Sequence, residues 1–257
     1  MLSAILERSP SVTPCAVVAS IPHGGTWIPS QFSNDLVVPV ESLYSDAWTR
    51  ELFAFLPEIG VRVVEAVGSR FISDPNRDPA SPMFAPFFVG TVASTNSTGE
   101  LLYRSEPSVL ELRSRIEFLY EPYLRAVDRA VSLVRHEHDP ALVLDMHSFG
   151  MPLDADIVLG DGNGVTATTA VVDAVAEAFE RVGFRVARNL RFSGGWIVRR
   201  FSDLPEIDAV QIEVNQRCYA DSRAVEEQRR PLTLDSAKFR ETAGRLCEAL
   251  TQICSPL

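Results

Sequence analysis

Two apolar runs in this chain stop abruptly at polar residues, and the rest of the pattern is arranged around them. Cys15–Ile21, rich in alanine and valine, runs into Pro22, His23 and the pair Gly24-Gly25. Ala141–Leu144 runs into Asp145, Met146, His147 and Ser148. Such runs predict buried strands with polar chemistry at their carboxyl ends, where ligand sites form in open α/β sheets. Further strands are predicted over Val61–Val67, Ala155–Gly160, Phe184–Arg188 and Ala209–Val214. Leu43, Tyr44, Trp48, Leu52, Phe53 and Leu56 form a helical stripe, so a helix is expected over Glu41–Leu56, ended by Pro57 and Gly60. Ser105–His136 carries a long helical pattern that Pro122 should kink or divide. Val165–Val182 and Leu232–Ile253 complete the helices. Phe71–Pro79 reads as a rigid, irregular turn, and Ala80–Leu102 as a polar loop without periodicity. Strands alternate with helices, which predicts an α/β fold with a mixed, largely parallel sheet flanked by helices.

With 257 residues, one domain spanning 1–257 is expected. Hydrophobic residues at 46% and charged residues at 23% are an ordinary globular balance, which argues against disorder. A net charge of −10 argues against a nucleic-acid partner but not against a small anion held by a local arginine. No apolar run reaches the ~18 residues that span a bilayer. The N-terminal stretch MLSAILERSPSVTP lacks a basic region followed by a long apolar core, so no signal peptide is expected. Cys15, Cys218, Cys247 and Cys254 form no C-x-x-C pair, which fits reduced thiols and a cytoplasmic protein.

Four histidines are present. His136 and His138, in RHEHDP, fit a solvated helix end. His23 and His147 each terminate an apolar strand, and the expectation is that these strand ends meet and hold a metal. A catalytic zinc site typically uses two histidines and a carboxylate and leaves one position open. Asp46 in YSDAWTREL is a candidate third ligand, with Glu51 as the competing carboxylate. Glu213 follows apolar residues in AVQIEV, so it points into a site or against a cation, where it could activate water. Arg77, between two prolines, could clamp a substrate carboxylate or polarise a carbonyl, or instead pair with Asp74 or Asp78. Asn76 could orient that arginine or donate to substrate, and Arg217 is a second anion-binding candidate.

In order along the chain, IPHGGTWIP, SDAWTREL, SRFISDPNRDP, DMHSFG and IEVNQRCY resemble the N-formylglutamate amidohydrolase family over about residues 17–221. That family is related to the zinc carboxypeptidase and aspartoacylase group. The resemblance implies a three-layer α/β/α sandwich of the phosphorylase/hydrolase-like kind. It implies one zinc ion per chain held by His23, Asp46 and His147. Glu213 would be general base and acid, and Arg77 with Asn76 would bind substrate and stabilise the oxyanion. The implied reaction is hydrolysis of N-formyl-L-glutamate to formate and glutamate, a late step of histidine breakdown. The turn here reads D-P-N-R where the family's commonly reads D-L-N-R, and Ala80–Leu102 lacks the expected compact glycine/threonine stretch. Another N-acyl amino acid therefore stays open as substrate, as does a non-catalytic small-anion-binding role on the same fold.

Overall fold

The computed structural model describes residues 3–40, 43, 45–138, 140–227 and 232–255. In chain order they form β1 (Ile5–Arg8), β2 (Val17–Ile21), α1 (Ser30–Ser33), α2 (Thr49–Leu52), a 3-10 turn at Leu56–Ile59 and β3 (Arg62–Ala66). Next come β4 (Phe84–Ala85), β5 (Val92–Ala93), α3 (Val109–Arg115), a π-helical turn over Ile116–Tyr120 and α4 (Glu121–Glu137). The remainder is β6 (Ala141–Phe149), β7 (Ile157–Gly160), α5 (Thr169–Arg181), β8 (Val186–Arg188), α6 (Trp196–Arg199), β9 (Ile207–Asn215), α7 (Ser222–Glu226) and α8 (Ser236–Cys254).

Seven strands make one sheet in the order β1-β3-β2-β6-β9-β7-β8. The central four run parallel, β1 runs antiparallel to β3, and β7 runs antiparallel to β9. Successive side chains on a strand face opposite ways, and both faces here are apolar. Val18, Val64, Val143 and Ala209 pack against Tyr123, Val127 and Val131 of α4 and Ile197 of α6. Ala19, Leu144, Met146 and Ile212 pack against Val175 and Phe179 of α5 and Leu246 and Leu250 of α8. Each buried aliphatic or aromatic side chain stabilises the fold by about 1.5–3 kcal/mol, so the expected α/β/α sandwich is held from both sides.

The same alternation places the polar chemistry. Ser20, Asp145, His147, Gln211 and Glu213 share the face of Val18, Val143 and Ala209, toward α4. The register aligns Ser20 with Asp145 and Asp145 with Gln211, and puts His147 beside Glu213.

The structure differs from the sequence expectation in several places. The helix expected over Glu41–Leu56 reduces to α2 and the 3-10 turn, while residues 41, 42 and 44 lie outside the described residues. Pro122 brings no N–H to the helical ladder. The helix widens into the π turn ahead of it and continues as α4. Within Ala80–Leu102, the short parallel pair β4–β5 forms, and Phe87, Val92 and Leu102 join Phe71 and Leu112 in a separate apolar cluster. β1 was not expected. No helix among the described residues is long and apolar enough to cross a membrane.

Candidate active site

The carboxyl ends of β2, β3, β6 and β9 converge. His23 leaves β2 through a turn that lies flat on the end of β3; a Cβ on Gly25 would sit 2.4 Å from the Gly68 carbonyl oxygen, so only glycine fits. His147 belongs to β6, and both rings are buried. Their centroids are 4.7 Å apart.

Asp46 reaches the rings from the turn before α2. Trp48 closes that turn with φ of 59°, a left-handed conformation costly for a bulky residue. The Trp48 ring stands edge-on to Tyr219, whose hydroxyl donates to the Ala47 carbonyl at 2.8 Å. Asp46 Oδ2 lies 2.9 Å from His147 Nδ1 and accepts the Ser148 N–H at 3.1 Å, while Oδ1 lies 3.6 Å from His23 Nδ1. Glu51, the competing carboxylate, is exposed.

Both imidazoles are held from behind by a second carboxylate. His23 Nε2 lies 2.7 Å from Asp74 Oδ1, and His147 Nε2 lies 2.8 Å from Asp145 Oδ2. Asp145 in turn accepts the Ser20 hydroxyl at 2.9 Å. Arg70 Nη1 stands 3.0 Å from His23 Nδ1. A guanidinium can only donate, so Nδ1 presents its lone pair and Nε2 carries the proton donated to Asp74. Both Nδ1 atoms therefore face Asp46, and the ligand atoms of His23, Asp46 and His147 all lie within 4.8 Å of one another. Two nitrogens and one carboxylate oxygen, with outer carboxylates fixing the rings, match the donor set and support of a divalent-metal site.

The electrostatics follow from this crowding. Burial alone would raise the Asp46 carboxyl, but the His23 and His147 rings outweigh it and hold the group far below the usual range. Asp74 is likewise buried and nevertheless held well below that range by Arg70, His23 and Arg77. Burial would lower His147, yet Asp145 and Asp46 hold it well above the ordinary histidine value. Glu213 goes the other way. Burial pushes its carboxyl up to about 8; the His147 ring opposes this, and Asp46 and Asp145 add to it. Glu213 Oε1 accepts from Gln211 Nε2 at 2.9 Å, whereas Oε2 is buried without a hydrogen-bond partner among the described residues.

The turn at Asp74–Arg77 is irregular, as expected, and Pro75 fits it. Asp74 supplies the acceptors, Oδ1 for the Asn76 N–H at 2.9 Å and its carbonyl for the Arg77 N–H at 3.2 Å, so no N–H is missed at position 75. Asn76 Oδ1 accepts the Ile197 N–H at 2.8 Å, and its Nδ2 lies 3.1 Å from Asp145 Oδ2 and 3.0 Å from His147 Nε2. Arg77 Nη2 donates to the Phe87 carbonyl at 2.8 Å and lies 3.3 Å from Asp74 Oδ2. Its Nε is buried without a partner among the described residues.

Arg70, which the sequence patterns left unremarked, is the guanidinium nearest the histidines. It pairs with Asp74, lies 3.8 Å from Asp46 Oδ1, and stands 4.6 Å over the Phe87 ring. The loop between β3 and α3 thus braces the charged centre. His136 and His138 lie at the end of α4 that leads into β6, at the opposite edge of the sheet.

Asn76 is wedged under the turn before α6. A Cβ on Gly195 would fall 2.4 Å from the Asn76 carboxamide. Gly195→Ala is expected to cost about 1–3 kcal/mol of stability, because the displaced amide gives up its bonds to Ile197 and Asp145; urea denaturation measures this.

Arg217 lies in the turn after β9, with Nη2 3.1 Å from Asp156 Oδ1, beside a cavity lined by Met151, Leu153, Asp154 and Glu226. Burial would raise Asp156, but Arg185 and Arg217 hold it below its usual value. A depressed carboxylate stabilises the folded state above its unfolded pKa, and the benefit disappears as pH falls through the folded value. The melting-temperature gap between wild type and Asp156→Asn should therefore narrow as pH falls below the ordinary aspartate value of about 3.9.

The chain folds as a mixed α/β/α sandwich with this buried polar centre at its carboxyl edge, and its similarities are to hydrolases acting on an amide. The family model of N-formylglutamate amidohydrolase matches residues 15–220, and the chain belongs to that family. It is 29% identical over 218 residues to N-formylglutamate deformylase of Pseudomonas putida, covering 80% of this chain and 82% of that one. In fold it resembles the N-formylglutamate amidohydrolase of Ralstonia eutropha, with a TM-score of 0.81, 23% identity and coverage of 98% and 96% of the two chains. It also resembles a gene product of Agrobacterium tumefaciens, with a TM-score of 0.71, 19% identity and coverage of 98% and 95%.

Proposed function

We propose that this protein is a zinc-dependent amidohydrolase that cleaves N-formyl-L-glutamate to formate and glutamate. The observation that carries the reading is the buried convergence of His23, Asp46 and His147 beside Glu213, whose Oε2 has no partner. The substrate rests on the relative named N-formylglutamate deformylase. His23, Asp46 and His147 would hold one ion and leave a position open. When bound, that ion lowers the pKa of a water and polarises the carbonyl.

The chain's own residues do the rest. Glu213 Oε2 accepts the proton of the water attacking the formyl carbon and delivers it to the amide nitrogen, which leaves as the amine. Arg70, beside His23, donates to the carbonyl oxygen as negative charge develops there. Arg77, with Nε unengaged, is the anchor for a substrate carboxylate. Asn76 serves through position: its Nδ2 supports Asp145 and His147. Arg217 is a more distant second anchor, for which substrate would compete with Asp156.

A hydrolysis screen of N-formyl, N-acetyl and N-succinyl amino acids with zinc present tests the reading. N-formyl-L-glutamate should give the highest kcat/KM. A faster N-acetyl or N-succinyl substrate would overturn the acyl assignment. Thermal stabilisation by N-formyl-L-glutamate without any product would overturn catalysis and leave an anion-binding protein.

A further inference from the structure

Two carboxamides tie the Gly194-Gly195 turn and the start of α6 to the active centre. The Gly195 N–H donates to Gln211 Oε1 at 2.8 Å, and the Ile197 N–H donates to Asn76 Oδ1 at 2.8 Å. A backbone N–H can only donate, so each contact fixes which end of the carboxamide is oxygen. Each amino group must then face inward: Asn76 Nδ2 toward Asp145 and His147, and Gln211 Nε2 toward Glu213 Oε1 at 2.9 Å. Gln211 is buried and sits two residues before Glu213 on the same face of β9. Both of its amide ends are engaged.

From this geometry we infer that Gln211 is a positioning residue for the proton-carrying carboxylate, anchored to the backbone of the Gly194-Gly195 turn. The inference rests on Glu213 being the general base. An amino group donating to Oε1 keeps a proton off that oxygen, so Oε2, the oxygen without a partner, is where a proton is taken up and released. The same bond fixes the rotation of the carboxylate, so Oε2 stays directed away from Gln211. Without it the carboxylate can turn, and the oxygen that meets the attacking water is no longer defined. Gln211 touches no reacting atom; it acts through Glu213.

Gln211→Leu removes both hydrogen bonds at similar volume. With metal loaded, kcat should fall by about 10–100-fold, the cost of a small misplacement of a catalytic group, while KM stays within about twofold. On a Glu213→Gln background the same change should leave the residual kcat unaltered within about twofold, since the group it positions is already disabled. Amide hydrogen exchange at Gly195, which needs neither metal nor substrate, should quicken in Gln211→Leu because that N–H loses its acceptor. If Gln211→Leu does not fold, Gln211→Met keeps the side-chain length and takes its place. Wild-type kcat in the folded variant, or a full multiplicative loss in the double variant, would overturn the inference. A fully active Glu213→Gln enzyme would bring down the proposed base and this inference together. An inactive Glu213→Gln beside a fully active Gln211→Leu overturns this inference alone.

Discussion

Glu213→Gln is expected to lower kcat by about 10²–10⁴-fold, the range that a positioned acid–base group contributes, with metal content and melting temperature little changed. Glutamine keeps the shape of the side chain and can still accept from Gln211 Nε2. It cannot take a proton at the position of Oε2, which in the native protein is buried without a partner. Elemental analysis beside steady-state kinetics separates the outcomes: full turnover in a metal-loaded variant would remove Glu213 from the mechanism.

The second large effect is expected from His147→Ala. The ring stands between two buried carboxylates, 2.9 Å from Asp46 Oδ2 and 2.8 Å from Asp145 Oδ2. Its removal takes away a proposed ligand and leaves two acidic groups facing each other without the ring. Breaking a buried charge pair from one side costs about 3–5 kcal/mol, so the melting temperature should fall sharply. Bound zinc should drop from about one per chain to none. Glu51→Ala provides the contrast. That side chain is exposed on α2, and its loss should leave metal content unchanged. Zinc retained in His147→Ala, or lost in Glu51→Ala, would reverse the assignment of the ligands.

Which parts of this centre were visible in the sequence follows from what a one-dimensional pattern can carry. A strand buried on both faces shows as a continuous apolar run, so β2, β3, β6 and β9 were legible, and with them His23, His147 and Glu213 at their ends. The direction of β7 was not, because burial is the same for parallel and antiparallel pairing. β1 is a short edge strand with half-exposed side chains, and four residues hold too little alternation to register. The stripe from Leu43 to Leu56 misled for a different reason. Leu52, Phe53 and Leu56 are all buried, but among the described residues a left-handed Trp48 and a 3-10 turn bring them inward, not an extended helix. Arg70 left no trace because a single basic residue in an irregular segment has no period. Its importance lies in its contacts with His23, Asp46 and Asp74, all distant in the pattern or hidden by the turn. Gln211 stood beside Glu213 in plain view, but a neutral amide looks like any polar residue until its two ends are placed.

His147 and Glu213 are neighbours across adjacent strands, not residues brought together by flexible connections. Their separation is therefore set by main-chain hydrogen bonding between β6 and β9, which holds strands about 4.8 Å apart. Insertions or exchanges in segments outside these two strands, such as 80–102 or 150–154, leave that interval untouched. A descendant of this chain can thus reshape its loops while the spacing of these two side chains passes down unaltered.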